Sequence, residues 1–166
     1  MSVHLNDIAA NLGKADRYEV LSAHLAALLS GEKDALANLA NLSALLFQSL
    51  PDLNWAGFYL LKGTDLVLGP FQGKPACTRI PVGRGVCGTA AQRRETVIVP
   101  DVHQFPGHIA CDAASRSEIV VPLIQEQTLL GVLDLDSPIP NRFDTIDQNG
   151  LERLVRTLLS DSEFPF

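Results

Sequence analysis

The residues able to do chemistry are concentrated in one stretch. From Cys111 to Ser137 the chain reads CDAASRSEIVVPLIQEQTLLGVLDLDS: a thiol, then an apolar hairpin with Glu118 at the start of one strand and Asp134 and Asp136 at the end of the other. Residues two apart in a strand share a face, so Asp134 and Asp136 aim two carboxylates in one direction. Carboxylates rarely sit in an apolar strand without a partner. If Glu118 shares that face, three negative charges within ~5 Å cannot all ionise without a counter-charge, and at least one pKa must rise. A bound ammonium would neutralise one acid and leave another as a proton donor. Two other readings stand beside this one: hairpin-end acids in water, and a magnesium or calcium site on Asp-x-Asp, which lacks an evident third ligand.

The thiol has its own requirement. A cysteine attacks as thiolate, and at an unperturbed pKa only ~3% is ionised at neutral pH. His108, three residues before Cys111, and Arg116, five after, are the neighbours able to lower that pKa. Cys77 lies in a Gly/Pro-rich segment with the mobility to approach another sulfur. Two cysteines on two long loops beside a carboxylate-lined pocket point to thiol redox chemistry on a small substrate. The three cysteines (Cys77, Cys87, Cys111) form no Cys-x-x-Cys pair, a poor pattern for structural zinc or a disulfide framework. Their plain alternative is a role as small buried hydrophobes.

Other motifs are weaker. Trp55, the single tryptophan, is either ordinary core or a wide apolar face for a methyl, a sulfur or a cation. His103 and His108 are five apart with no third ligand at a recognised spacing, so we expect solvated loop histidines and no metal site. Gly83 to Gly88 (GRGVCG) is a literal G-x-G-x-x-G, with Asp101 eighteen residues after its first glycine. A dinucleotide site needs a solid strand before it and a parallel βαβ unit around it, whereas Pro81 interrupts that strand and the other strands come as hairpins. The glycines fit better as a helix start close to other backbone.

The elements that position these residues follow from periodicity. Helices are predicted from Asp16 to Leu29, on the stripe Tyr18, Leu21, Leu25 and Leu28, and from Lys33 to Leu50, on Leu36, Leu39, Leu42, Leu46 and Phe47. These two pack either on a sheet or on a second copy of themselves. A hairpin, WAGFYLL to DLVLGPF, turns at Gly63 and Thr64; a loop then runs from Gly69 to Pro81 with at most a short strand at its end. A short helix (Val86 to Arg94), the strand TVIVP and a second long loop carrying His103, His108 and Cys111 come next. The hairpin EIVVPLI to TLLGVLDLD should lie centrally, and Asp144 begins a last helix ending near Ser160. The order argues an α+β domain on an antiparallel sheet.

Composition narrows the function. The 166 residues are one domain's worth, 1–166, with 46% hydrophobic residues and a net charge of −6, which repels phosphate backbones and argues against nucleic acid. No apolar run is long enough to span a membrane and no leader is evident, so a cytoplasmic protein is expected.

The segments NWAGFYL, GPFQGKPACTRIPVGRGVCGTAA, VPDVHQFPGHIACDAASRSEIVVPL and GVLDLDSP together resemble the free methionine-(R)-sulfoxide reductases, a family built on a GAF domain. The resemblance runs from about Tyr18 to Leu158. It implies a central antiparallel sheet with helices on one face and a loop-capped ligand pocket on the other. It also implies Cys111 as nucleophile, Cys77 as resolving cysteine, and Cys87 as an auxiliary or alternative thiol. Trp55, Glu118, Asp134 and Asp136 fall on substrate-binding positions. The implied substrate is free methionine sulfoxide, the (R) epimer resting on the resemblance alone. The implied reductant is thioredoxin or a similar dithiol, without a cofactor. Among the acids Glu118 is our choice of proton donor, and backbone N–H groups of the capping loops are expected to meet the substrate carboxylate. The apolar N-terminal helices make a homodimer an expectation. Two other classes compete with the enzyme: a GAF sensory domain that binds without turnover, and a dimerising scaffold with inert cysteines.

Overall fold

The computed structural model describes residues 11–165; the N-terminal residues before these, part of the expected irregular start, lie outside that range. The elements are α1 (Lys14–Leu29), α2 (Ala35–Ser49), β1 (Trp55–Lys62), β2 (Asp65–Gly73), β3 (Arg79–Pro81), α3 (Gly85–Arg93), β4 (Val97–Val99), β5 (Ser117–Gln125), β6 (Thr128–Ser137) and α4 (Thr145–Asp161). The strands form one sheet in the order β3-β2-β1-β6-β5-β4, with every neighbouring pair antiparallel. A parallel βαβ unit is therefore absent among the described residues, which removes the context a dinucleotide fingerprint needs.

Period-two alternation sorts the strands into two faces. Ala56, Phe58 and Leu60 of β1, Ile119, Val121 and Leu123 of β5, and Leu133 and Leu135 of β6 join the apolar stripes of α1, α2 and α4 in one core. The alternate residues, Trp55, Tyr59, Val120 and Val132, join Leu66, Ile80 and Val99 on the opposite face, where α3 adds Val86, Cys87, Ala90 and Ala91. Three helices thus cover one face, and α3 shares the other with the pocket. Both N-terminal helices pack within their own chain: α1 lies against α2 and α4, and α2 lies against β1 and β2. Leu28 and Leu36, assigned above to apolar stripes, nevertheless face solvent at 42% and 59% exposure.

Asp144 caps α4 by accepting from the Ile146 and Asp147 N–H groups, and the Asp147 carboxylate accepts in return from the Asp144 N–H. Buried Asp147 also accepts from the Tyr18 hydroxyl at 2.8 Å and from Lys14 Nζ at 2.7 Å, which fastens α1 to α4. The turn joining β5 to β6 is two residues, Glu126 and Gln127, both at positive φ, the twist a tight hairpin requires.

One boundary is corrected. The strand DLVLGPF, which overlaps the expected loop from Gly69, runs on beyond Phe71 as far as Gly73, so the loop begins later. Between Leu68 and Phe71 the strand carries one more residue than β1 opposite, a bulge that absorbs Gly69 and Pro70. The partner strand β3 covers only Asp65 to Val67, so Pro70 interrupts no pairing on that side.

Candidate active site

Register brings the acids together. Trp55 pairs with Asp136, and Asp136 with Glu118, so one rung across β1, β6 and β5 carries an indole and two carboxylates. Two residues along, on the same face, Gly57 pairs with Asp134. Gly57 is required there: a Cβ would sit 2.3 Å from the Phe71 Cβ, and Phe71 comes in to stack on Trp55 with ring centroids 5.2 Å apart. From the other side α3 delivers Cys87, whose Sγ donates to Glu118 Oε1 at 3.9 Å. The helix can start that close because of Gly88, where a Cβ would lie 2.6 Å from the Pro81 carbonyl oxygen. This is the use the structure makes of the glycine-rich motif.

A pocket opens above this floor, its space totalling about 520 Å³ with the open side included. Trp55, Cys87, Glu118, Asp134 and Asp136 line it, Cys111 and His108 stand on the capping loop, and Lys74 and Arg84 are the cations on its wall. Glu118 and Asp134 are only 5% and 6% exposed, so they are not hairpin-end acids in water. Burial, followed by the Asp134 and Asp136 charges, pushes the Glu118 carboxyl well above the usual carboxylate range. Burial raises Asp134 to about 6 against the opposing bonds from Glu118 and Cys87. Asp136 is raised by burial and by Asp134, with a Ser115 hydrogen bond opposing the rise. One oxygen of Asp134, Oδ1, has no hydrogen-bond partner. Two buried acids and a half-buried third, with one unsatisfied oxygen and no Lys or Arg ion pair to them among the described residues, suit a compact positive group.

Cys87 is a free, buried thiol, and burial with the surrounding carboxylates keeps its pKa well above the usual thiol value. It is therefore held as S–H. The ligand atoms of Cys87, Glu118 and Asp134 lie within 4.8 Å of one another, so this triad, rather than Asp-x-Asp, is the donor set whose spacing suits a metal ion. An ammonium group uses the same oxygens without having to displace the thiol proton.

Cys77 and Cys111 are joined by a disulfide with Cα atoms 5.6 Å apart, 34 residues apart in sequence. The Cys111 loop is fixed from β1's entrance. Asn54 Nδ2 donates to Asp112 Oδ2 and to Ser115 Oγ, each at 3.0 Å, and Asp112 Oδ1 accepts from the Ala114 N–H. These bonds hold the Asp112 carboxyl below its ordinary pKa, the Ala114 bond contributing most. Across the pocket the Cys77 segment is held by two aromatic side chains of β1. The Trp55 indole N–H donates to the Lys74 carbonyl at 3.2 Å and the Tyr59 hydroxyl to the Cys77 carbonyl at 3.0 Å.

Two expectations about the neighbours of Cys111 change. The histidines differ: the His103 side chain is 62% exposed, whereas that of His108 is 14% exposed, with Nε2 3.8 Å from Glu118 Oε2. His108 is not a solvated loop histidine, and burial, with His103 nearby, lowers its pKa. Arg116 pairs with Asp101 at 3.6 Å, which turns its charge to an acid outside the triad. Sequence reasoning missed Asn54, Tyr59 and Ser115 altogether. Tyr59 had a usable signal, four residues from Trp55 on a strand and hence on its face; Asn54 and Ser115, in loops, had none.

The GAF domain family model matches residues 23–158. The chain is 56% identical over 147 residues to the free methionine-R-sulfoxide reductase of Escherichia coli, covering 89% of each protein. A crystal structure of free methionine-R-sulfoxide reductase from Neisseria meningitidis in complex with its substrate superposes with a TM-score of 0.88 at 44% identity, covering 92% of both chains. The substrate complex of fRMsr from Staphylococcus aureus gives 0.84 at 51% identity, over 87% of this chain and 94% of that one. With a sheet, a pocket and a redox-linked cysteine pair already in view, this similarity along nearly the whole length settles the family: the chain belongs to the free methionine-R-sulfoxide reductases of the GAF-domain class.

Proposed function

We propose that this protein reduces free L-methionine (R)-sulfoxide to L-methionine through Cys111, with Cys77 as the resolving thiol. One observation carries the reading: the Cys77–Cys111 disulfide stands at a pocket whose floor is two buried acids, Glu118 and Asp134, and the half-buried Asp136. In the reduced enzyme the Cys111 thiolate attacks the sulfoxide sulfur while Glu118, kept protonated by its surroundings, gives its proton to the oxygen. Methionine departs and Cys111 is left as a sulfenic acid. The Cys77 thiolate then attacks that sulfur. The S–S bond forms, the S–O bond breaks, and the oxygen leaves as water.

Asp134 and Asp136 hold the substrate ammonium and Trp55 packs on its methyl end. A peptide-bound residue has no free ammonium and brings extra backbone to a capped pocket, which accounts for selection of the free amino acid. Cys87, a protonated thiol against Glu118, is a reserve rather than the primary partner of Cys111. Thioredoxin or a similar dithiol reopens the disulfide, a cycle suited to the cytoplasm. No described helix is long and apolar enough to cross a membrane. The reading treats residues 1–166 as one GAF domain and pairs two copies through the N-terminal helices, where Leu28 and Leu36 are exposed.

Thiol counting tests the proposal directly. Fully reduced protein mixed with free methionine sulfoxide, without reductant, should lose two of its three thiols and release one methionine per chain. A pure sensor or scaffold would keep all three, and that result would overturn the assignment.

A further inference from the structure

The mechanism above gives no part to Tyr59. Its side chain is buried on the pocket face of β1, stacked at 5.8 Å on Trp55, and its hydroxyl donates to the carbonyl oxygen of Cys77 itself. Burial raises the phenol pKa, and the surrounding acids raise it further, so the group stays an O–H donor. The same face of β1 grips the segment a second time through the Trp55 indole and the Lys74 carbonyl, and the Leu68 N–H holds the Thr78 carbonyl on the far side of Cys77. Cys77 therefore rides on a short span between β2 and β3 whose backbone is tied at Lys74, Cys77 and Thr78. Of these ties only the one from Tyr59 acts on the cysteine itself.

We infer that Tyr59 is a positioning residue for disulfide closure: by holding the Cys77 carbonyl, its hydroxyl sets how readily the Cys77 sulfur reaches Cys111. The physical reason is the entropy of the reduced state. With the disulfide open, a free Cys77 backbone samples conformations in which its sulfur points away from the sulfenic acid, and a fixed carbonyl excludes them. A neutral hydrogen bond of this kind corresponds to about a three- to tenfold change in a rate or equilibrium constant. The inference rests on the assignment of Cys77 as resolving thiol.

Tyr59→Phe keeps the ring and its stacking and deletes only the donor. In single turnover of the reduced enzyme we expect methionine to be released still at one per chain, with closure of the disulfide slowed about three- to tenfold relative to that release. The Cys111 sulfenic acid then lives longer and is trapped in larger yield by dimedone. The Cys77–Cys111 potential should become less negative by about 15 to 30 mV, that fold-change in the equilibrium constant for a two-electron couple. Wild-type closure and an unshifted potential in Tyr59→Phe would overturn the inference. So would loss of the methionine burst itself, which would put Tyr59 with the substrate instead of with Cys77. A Cys77→Ser control in a Cys87→Ser background, which removes the reserve thiol, separates the two levels of the reasoning: it must trap sulfenic acid, and if it does not, the cysteine assignment fails and takes this inference with it.

Discussion

Replacing Asp134 by Asn should make the protein more stable and a poorer enzyme at once. Asp134 is raised to about 6 by burial, against about 3.9 for an unfolded chain. A carboxyl raised in the folded state binds its proton more tightly there, so its contribution to stability is complete below pH ~4 and is lost as pH rises through ~6. Above that, the folded protein carries the penalty of a buried, uncompensated carboxylate. About two pKa units at 1.36 kcal/mol each put that penalty near 3 kcal/mol. Asn has the same shape and no charge, and its amide can donate to Glu118, which already lies within bonding reach. We therefore expect Asp134→Asn to gain up to about 3 kcal/mol at pH 8, a rise of roughly 6 to 12 °C in melting temperature for a chain of this size. The gain should shrink as pH falls from 6 towards 4.

Function should move the other way. A hydrogen bond to a charged group is worth about 1.5 to 3 kcal/mol, so loss of one ammonium contact should raise KM for free methionine sulfoxide roughly 10- to 100-fold. Melting curves at pH 8 and pH 5, with steady-state kinetics at pH 8, provide the assay. If Asp134→Asn melts lower than wild type at pH 8, the acid is a structural anchor, and the reading of the pocket as a cation receptor is wrong. A gain in stability with unchanged KM would equally remove Asp134 from the ammonium site.

The catalytic assignments are open to the same kind of check. Glu118→Gln should lower the single-turnover rate of methionine formation about 10²-fold or more, the usual share of a general acid, and in wild type that rate should fall as pH rises through the elevated Glu118 pKa; an unchanged rate would move the proton to Asp136 or to water. Cys77→Ser should complete one turnover and then fail to be recycled by thioredoxin, whereas loss of the first methionine would mean that the cysteine roles are misassigned.

How much of this could be read from residues alone varied with the kind of geometry involved. Strand periodicity was enough to point Asp134 and Asp136 the same way, because alternation is a local property. That Glu118 joins them depended on register, which the two-residue turn at Glu126 and Gln127 sets by pairing Gln125 with Thr128 and, after one irregularity, Glu118 with Asp136. The apolar run Ile119 to Leu123 placed its hairpin centrally and covered on both faces, whereas the division into helix-covered face and pocket face came from the family resemblance and is seen in the two clusters of the core. Strand and loop readings overlapped at Gly69 and Pro70, where a bulge keeps the strand going to Gly73. The histidines show the limit most clearly. His103 and His108 share one irregular loop with no repeat to orient either, and one ends up in solvent while the other packs near Glu118. The Cys77–Cys111 pairing spans 34 residues, with β3, α3, β4 and a short 3-10 turn between them; the mobile Cys77 loop suggested a redox partner, and the family resemblance named it.

The buried acids and the tethered cysteine answer two separate physical demands. On the proposed reading a receptor for a free ammonium must shield its acids from water until substrate arrives, an arrangement the sheet supports because Trp55, Asp136 and Glu118 share one rung. A thiol that must reach a sulfenic acid cannot be locked into a sheet; it needs a segment free at the side chain and held at the backbone. The span from Lys74 to Thr78 meets that need with its carbonyls bonded to Trp55, Tyr59 and Leu68. Rigid recognition and restrained motion therefore meet on the same strand, β1, whose pocket-facing Trp55 and Tyr59 carry two of those three tethers. Loss of the indole at Trp55 would disturb both functions together, whereas loss of the Tyr59 hydroxyl would touch only the second.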